Sequence, residues 1–258
     1  MGLSHFSGPM DSANGFRQDG STISGFDYTH EDFQSQAASS LAVGGAASGT
    51  ANALNILTFE RNSIPFVAKG TQTILSPSLK AAGFDINQDQ TDNDGIELGG
   101  SHITRGRHGY TIGTSPSFFF EVKFSIADVS GTDDCAIGFR KAQAYQANFD
   151  DYTDAATLNV ISGAITIETI LNNAATTSTD TTDAWADGES HTLTVNVNKS
   201  GAVTYQIDGV SPTVIAAFTF DTGDVVFPFI FMLNAADVAG EVALTKWEVG
   251  PQEFRGQL

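Results

Sequence analysis

The sequence predicts an all-β chain, an antiparallel β-sandwich preceded by an extended, low-complexity N-terminal arm. Three observations carry this. Residues 117–127 place Phe118, Phe120, Val122, Phe124 and Ile126 on one face of a strand, with Phe119, Glu121, Lys123 and Ser125 on the other. Residues 191–209 hold two further period-2 runs, Leu193-Val195-Val197 and Val203-Tyr205-Ile207, joined across Lys199, Ser200 and Gly201 as a hairpin with one buried face. The 26 glycines, with abundant Asp, Asn, Ser and Thr, supply turns at short intervals and leave little room for long helices.

In order along the chain, residues 1–34 are rich in Gly, Ser and Asp and lack any strand or helix period, which predicts an extended arm unable to fold alone. Its isolated aromatics Phe6, Phe16, Phe26 and Phe33 are suited to anchor the arm in a partner's pockets. Residues 35–55 are an Ala/Ser/Gly spacer. Residues 56–114 read as short strands and an acidic turn region that extend the sandwich, and residues 115–258 as the sandwich proper. Pro228 lacks a ladder donor, so its strand is expected to be bulged or locally at an edge. Phe120, Phe124, Val195, Tyr205, Ile207 and Phe229 are the expected core, with Trp247 beside them.

The formal charge of −18, from 12 Lys and Arg against 30 Asp and Glu, argues against nucleic-acid and anionic-membrane partners. The lone Cys135 excludes an internal disulfide. Residues 83–100 concentrate carboxylates, but an EF-hand loop starting at Asp85 would have Gln90 where glycine is needed and Ile96 where glutamate is needed. A looser Ca²⁺ site at Asp89, Asp92 and Asp94 is the metal reading that survives; a solvated Asx-turn loop, with no cofactor, is the default. No nucleophile elbow, zinc spacing, phosphate loop or dinucleotide fingerprint occurs, and the Glu-x-Asp-x-x-Glu run that would set glycosidase acids on one strand is absent. A non-enzymatic protein is therefore expected.

Ala184-Trp185, Asp187-Gly188, His191, Leu193 and Val195, followed by Gly201, Val203, Tyr205 and Ile207-Asp208-Gly209, resemble the laminin-G/concanavalin-like jelly-roll superfamily, as does the closing Leu244, Trp247, Val249 and Gly250. That resemblance implies a jelly roll and settles no function, since lectins, glycosidases and adhesion modules share the fold. The opening LSHFSGP at residues 3–9, with residues 12–16, 93–100, 124–135 and 144–148, resembles virion structural proteins of tailed bacteriophages. This second resemblance implies a capsid decoration, cement or fibre protein. Such a protein would be made in the host cytoplasm and reside in the virion. It would be held to the major capsid protein by its arm and would assemble as a homo-oligomer. The alternative expectation is a lectin-like module for adhesion to a cell surface, its glycan stacked on Tyr145, Tyr152 or Trp185, with or without Ca²⁺.

Overall fold

The computed structural model describes residues 92–99, 109–235 and 242–255 throughout; before residue 92 it describes strand backbones, with side chains at 64–67 and 69. The strands, in chain order, begin with β1 (Phe16–Gln18), β2 (Ser21–Ile23), β3 (Thr29–Asp32), β4 (Ala42–Gly44), β5 (Leu54–Thr58), β6 (Ser63–Lys69), β7 (Ile74–Lys80) and β8 (Gly83–Gln88). There follow β9 (Gly95–Gly99), β10 (Tyr110–Thr111), β11 (Phe118–Ile126), β12 (Thr132–Lys141), β13 (Ala155–Ile161) and β14 (Ala164–Ile170). The last five are β15 (Thr177–Ala184), β16 (Ser190–Val197), β17 (Val203–Ile207), β18 (Val225–Asn234) and β19 (Val242–Pro251). One sheet runs β15-β14-β13-β12-β18-β9-β6-β5-β4 with β10 also on β18; the other runs β17-β16-β11-β19-β8-β7 with β3 also on β19. β1 and β2 form a separate two-stranded ribbon. The antiparallel sandwich expected from the sequence is what the structure shows.

β11 organises the second sheet because its period-2 pattern commits one whole face to the interior. Phe120 stands opposite Val195 on one side and Val249 on the other, and Val122 stands between Leu193 and Trp247. Facing them across the sandwich are Ile96, Leu98, Ile137, Phe139, Leu158, Ile167 and Ile230, all buried in one apolar cluster. Phe118 stacks on Tyr110 at 4.1 Å and meets Phe139 edge-on at 4.9 Å, while Phe120 meets Trp247 at 4.5 Å. Each fully buried aromatic of this kind contributes roughly 1.5–3 kcal/mol.

β18 differs in being apolar on both faces. Val226, Ile230 and Met232 point into the sandwich. Phe229, Phe231 and Leu233 point the other way, into a second cluster closed by Phe149 and Tyr152 from the β12–β13 connection. Phe229 is thus buried as expected, but on the opposite face from the main core. Ile207 is only half-buried. Pro228 is tolerated because β9 ends at Gly99 opposite Phe229 and β10 pairs only at Val226 and Val225, so neither reaches Pro228.

Two turns bracket β17. Asn198 caps the β16–β17 turn by accepting from the Ser200 and Ala202 amides, both at 3.0 Å. Gly201 there has φ +91, and a Cβ would meet the Phe220 carbonyl oxygen at 2.5 Å. At the other end of β17, Asp208 (φ 51) and Gly209 (φ 80) form a two-residue turn that folds Val210 back onto Ile207.

Two strands lie in segments read as arm and spacer. β3 pairs with residues 246–249 of β19, and β4 pairs with β5, so strands of the two main sheets start well before residue 54. A short backbone segment can join a sheet through its ladder alone, and this leaves no apolar alternation in the sequence.

Candidate functional site

The hairpin register brings together residues that are far apart in the sequence. Val197 pairs with Val203 and Leu193 with Ile207, so the start of β16 lies beside the end of β17. The Asp208 Oδ1 accepts from the Thr192 amide at 2.8 Å, and its Oδ2 lies 2.7 Å from His191 Nδ1. The second ring nitrogen, Nε2, lies 3.3 Å from Glu189 Oε2. Trp185 packs against His191 at 4.6 Å and against Phe124 at 4.5 Å, so the histidine is braced by the core. The Trp185 indole N–H is satisfied by the Glu189 carbonyl at 3.1 Å.

Beside this pair opens a pocket of about 250 Å³, lined by Asp183 and Ala184 from β15, His191, and residues 207, 208 and 210–213. The lining combines the apolar Ile207, Val210 and Pro212 with two aspartates, the histidine, Ser211 and Thr213. Val210 is 69% exposed and Ile215, further along the same loop, 65%. Burial alone would lower the His191 pKa, but the bonds to Asp208 and Glu189 outweigh it and hold the value above that of an ordinary histidine. Burial would raise Asp208, and His191 with the Thr192 amide brings it below the usual carboxylate range. The imidazole is therefore held toward its charged form between two carboxylates. With both nitrogens engaged it has no lone pair to accept a proton from Ser211, so Ser211, His191 and Asp208 do not make a nucleophilic triad.

The aromatic residues named as glycan platforms are placed otherwise. Trp185 is buried at 2% exposure and Tyr152 at 0%, so neither offers a ring to solvent. That corrects the expectation: the tryptophan loop is drawn inward because its ring completes the core against Phe124. Tyr152 seals a buried charge cluster. Its hydroxyl donates to Glu97, which also takes Arg140 Nε at 2.8 Å and Lys69 Nζ at 3.1 Å. Burial lowers the Lys69 pKa, with Glu97 opposing; for Arg140 the Glu97 charge overcomes burial and the value rises. Tyr145 is half-buried, its ring lies under the Arg140 guanidinium at 5.3 Å, and burial pushes its hydroxyl up to about 12.

Of the suggested metal ligands, Asp89 lies outside the described residues, Asp92 is exposed in a turn, and Asp94 is buried, its carbonyl accepting from the Asn234 amide. Among the described residues no group of three His, Cys, Asp or Glu is placed to hold a metal ion. Phe6, Phe26 and Phe33 lie outside the described residues; Phe16 opens β1, and only its backbone is described.

Glu121 and Glu168, the carboxylates of the strongest strands, are tied into the sheets. Glu121 accepts from Lys246 Nζ at 2.7 Å, Arg255 Nε at 3.0 Å and Thr194 Oγ1 at 2.9 Å. Burial would raise its pKa, and the two cations reverse this and lower it. Glu168 accepts from Asn159 at 2.8 Å.

The sequence signal for the pocket was the hairpin register counted outward from Ser200, which puts Asp208 opposite Thr192. Asp183 carried no signal, because β15 reaches the pocket from the other sheet.

No protein-family model matches this chain, and no curated protein matches it by sequence. Among solved structures, the carbohydrate recognition domain of Emp46p in its potassium-bound form superposes with a TM-score of 0.51 at 10% identity, covering 72% of this chain and 88% of that one. A protein of unknown function from Shewanella oneidensis MR-1 gives 0.47 at 13% identity over 90% and 89%. A Caenorhabditis elegans galectin, LEC-6, gives 0.36 at 14% over 54% and 86%. The likeness to the Emp46p domain is one of fold: this chain is similar to a lectin-type jelly roll.

Proposed function

We propose that the chain is a non-enzymatic carbohydrate-binding module and that its glycan sits in the His191 pocket. The observation that carries this is the presence, within one pocket, of apolar side chains together with residues bearing carboxylates and hydroxyls. A sugar ring presents a C–H face to the first and hydroxyl donors to the second. The likeness to the Emp46p carbohydrate recognition domain supports the reading at the level of fold. An imidazole committed to two carboxylates supports a binding role for this pocket.

The test is a glycan array probed with the full chain and with Val210→Asp and His191→Ala. Retention of a defined glycan set by the wild type, lost in both variants, is the expected result. Retention unchanged in both would move the site elsewhere, and no retained glycan would end the reading.

Attachment to a bacteriophage head through residues 1–34, with the major capsid protein as partner and the chain as a homo-oligomer, is a separate proposal about where the module is carried. It rests on the resemblance of the opening segment. Copy number in purified particles tests it, since a decoration protein follows the capsid lattice.

A further inference from the structure

The seven-stranded sheet carries, on the face away from the main core, a row of polar side chains set out by register. Glu121 of β11 stands opposite Thr194 of β16, and Thr194 opposite Gln206 of β17. Adjacent strands lie about 4.8 Å apart, so the three make one continuous rung. Thr194 is fully buried and Glu121 is 7% exposed, as is fitting for a floor with something over it; Phe119, two residues before Glu121, is fully buried too. What lies over the rung is the segment after β19. Pro251 closes β19 opposite Phe118, a single 3-10 turn (Gln252–Phe254) follows, and Arg255 comes next. Arg255 Nε donates to Glu121 Oε2 at 3.0 Å, and Nη2 donates to the same oxygen. Nη1 donates to Gln206 Oε1 at 2.7 Å, and Nη2 also reaches Thr194 Oγ1 at 3.1 Å. The guanidinium carbon lies 5.7 Å from the centre of the Phe119 ring.

The two halves of this contact are held differently. The rung is fixed by strand ladders, and Glu121 has partners besides Arg255: Lys246 Nζ on Oε1 at 2.7 Å and the Thr194 hydroxyl on Oε2 at 2.9 Å. Its carboxylate therefore stays in place without Arg255. The strap is the surface half: none of Gln252, Glu253 and Phe254 is buried, and the Arg255 side chain is 30% exposed. A carboxylate, an amide carbonyl and a hydroxyl at fixed spacing over an aromatic floor match the planar, five-donor fork of a guanidinium, which an ammonium cannot fill.

We infer that this rung is a recognition site for an arginine side chain of a polypeptide partner, and that Arg255 occupies it in cis and holds it shut. The inference is independent of the glycan reading. A segment tethered this closely acts at an effective concentration of roughly millimolar. A partner therefore gains the site by adding contacts beyond the guanidinium or by drawing the strap away.

The experiment is fluorescence anisotropy of a labelled peptide of residues 251–258 titrated with the full chain, wild type and Arg255→Ala. Arg255→Ala, its rung vacated, is expected to bind the peptide at least about tenfold more tightly than the wild type. The same peptide with lysine in place of its arginine should bind Arg255→Ala at least about tenfold more weakly, the factor that one hydrogen bond to a charged group carries. Adding Gln206→Ala to Arg255→Ala should weaken binding, and adding Glu121→Gln should abolish it. No binding to Arg255→Ala overturns the recognition site. Equal binding to the wild type overturns the block in cis. Equal binding of the lysine peptide, or binding unchanged by both second substitutions, overturns the assignment because the peptide then sits elsewhere. Should Arg255→Ala fail to fold, Arg255→Lys, which keeps a cation over Glu121, replaces it under the same expectations. Should the Glu121→Gln combination fail to fold, Gln206→Ala decides.

Discussion

Asn159 donates from one nitrogen to two carboxyl groups, Asp134 Oδ1 at 2.6 Å and Glu168 Oε2 at 2.8 Å. Its own carbonyl oxygen accepts from the Cys135 amide at 2.8 Å, so a single amide ties β12, β13 and β14 together. Burial pushes Asp134 up to about 7, with the Asn159 bond opposing and Glu168, Asp133 and Asp150 adding repulsion. Burial raises Glu168 as well. A carboxyl whose folded pKa exceeds its ordinary 3.8 contributes stability that is complete below that value and is lost as pH rises through the folded one. The melting temperature is therefore expected to fall between about pH 4 and pH 7, and Asp134→Asn to flatten that fall. Scanning calorimetry across the range checks it; a flat wild-type profile would show the proton is not shared there.

The buried Glu97 cluster sets a second expectation. Glu97→Gln leaves Lys69 and Arg140 buried with no counter-charge, a change that costs about 3–5 kcal/mol in comparable sites. Replacing Lys69, Glu97 and Arg140 together by apolar residues of similar volume should cost less than Glu97→Gln alone. Urea unfolding of both variants measures the difference, and a milder single variant would mean that water reaches the cluster.

Trp185→Ala should destabilise by about 3–5 kcal/mol through loss of core packing against Phe124. Trp185→Phe keeps the aromatic core but removes the indole donor to the Glu189 carbonyl. Stability close to wild type is then expected, with weaker glycan retention on the array because the loop beside His191 is loosened.

Nuclear magnetic resonance titration of His191 should give a pKa above the ordinary histidine value of 6.5. The stability contributed by its carboxylate partners is fully present below 6.5 and is lost as pH rises through the folded value. Asp208→Asn should bring the titration down and reduce the stability difference between acid and alkaline conditions. An unchanged midpoint would show that Glu189 alone holds the proton.

Gly138 separates two kinds of glycine in this fold. A Cβ there would meet the Ala156 carbonyl oxygen at 2.1 Å, inside the β12–β13 ladder. Gly138→Ala should cost about 1–3 kcal/mol or more as the strands are forced apart. Gly188 has φ +73 with nothing near its Cβ position, so Gly188→Ala should cost only about 1–2 kcal/mol of backbone strain. Chemical denaturation of both variants ranks them.

What could be read from the sequence follows the physics of alternation. β11, β16 and β17 each commit one face to the main core, and their residues announced it with a period of two; the burial of Phe119, Glu121 and Thr194 on the opposite face was not announced. β18 does not alternate, because Phe229 and Phe231 are covered by Phe149 and Tyr152 from a connection that reads as a polar loop; that its outer face is covered could not be inferred from the strand itself. β3 and β4 carry no pattern, since a ladder of backbone bonds asks little of side chains. The pocket was half legible: His191 and Asp208 meet by hairpin register, whereas Asp183 arrives from β15 in the opposite sheet. Trp185 shows the reverse failure, an aromatic residue in an acidic loop that suggests exposure and lies in the core.

The position of β19 bears on how the chain is made. Among the described strands it is the last in chain order, yet it lies between β11 and β8 in the middle of its sheet. On the ribosome, β11 emerges more than a hundred residues before the strand that will cover its open edge. Until Val242 and the residues after it leave the exit tunnel, the Phe118, Phe120 and Phe124 face has only its β16 neighbour within the sheet. A nascent chain in that condition offers an unpaired, aromatic-rich edge to any other strand nearby. Closure of the seven-stranded sheet therefore waits for β19, and a chain that stalls before Val242 is left with its core open.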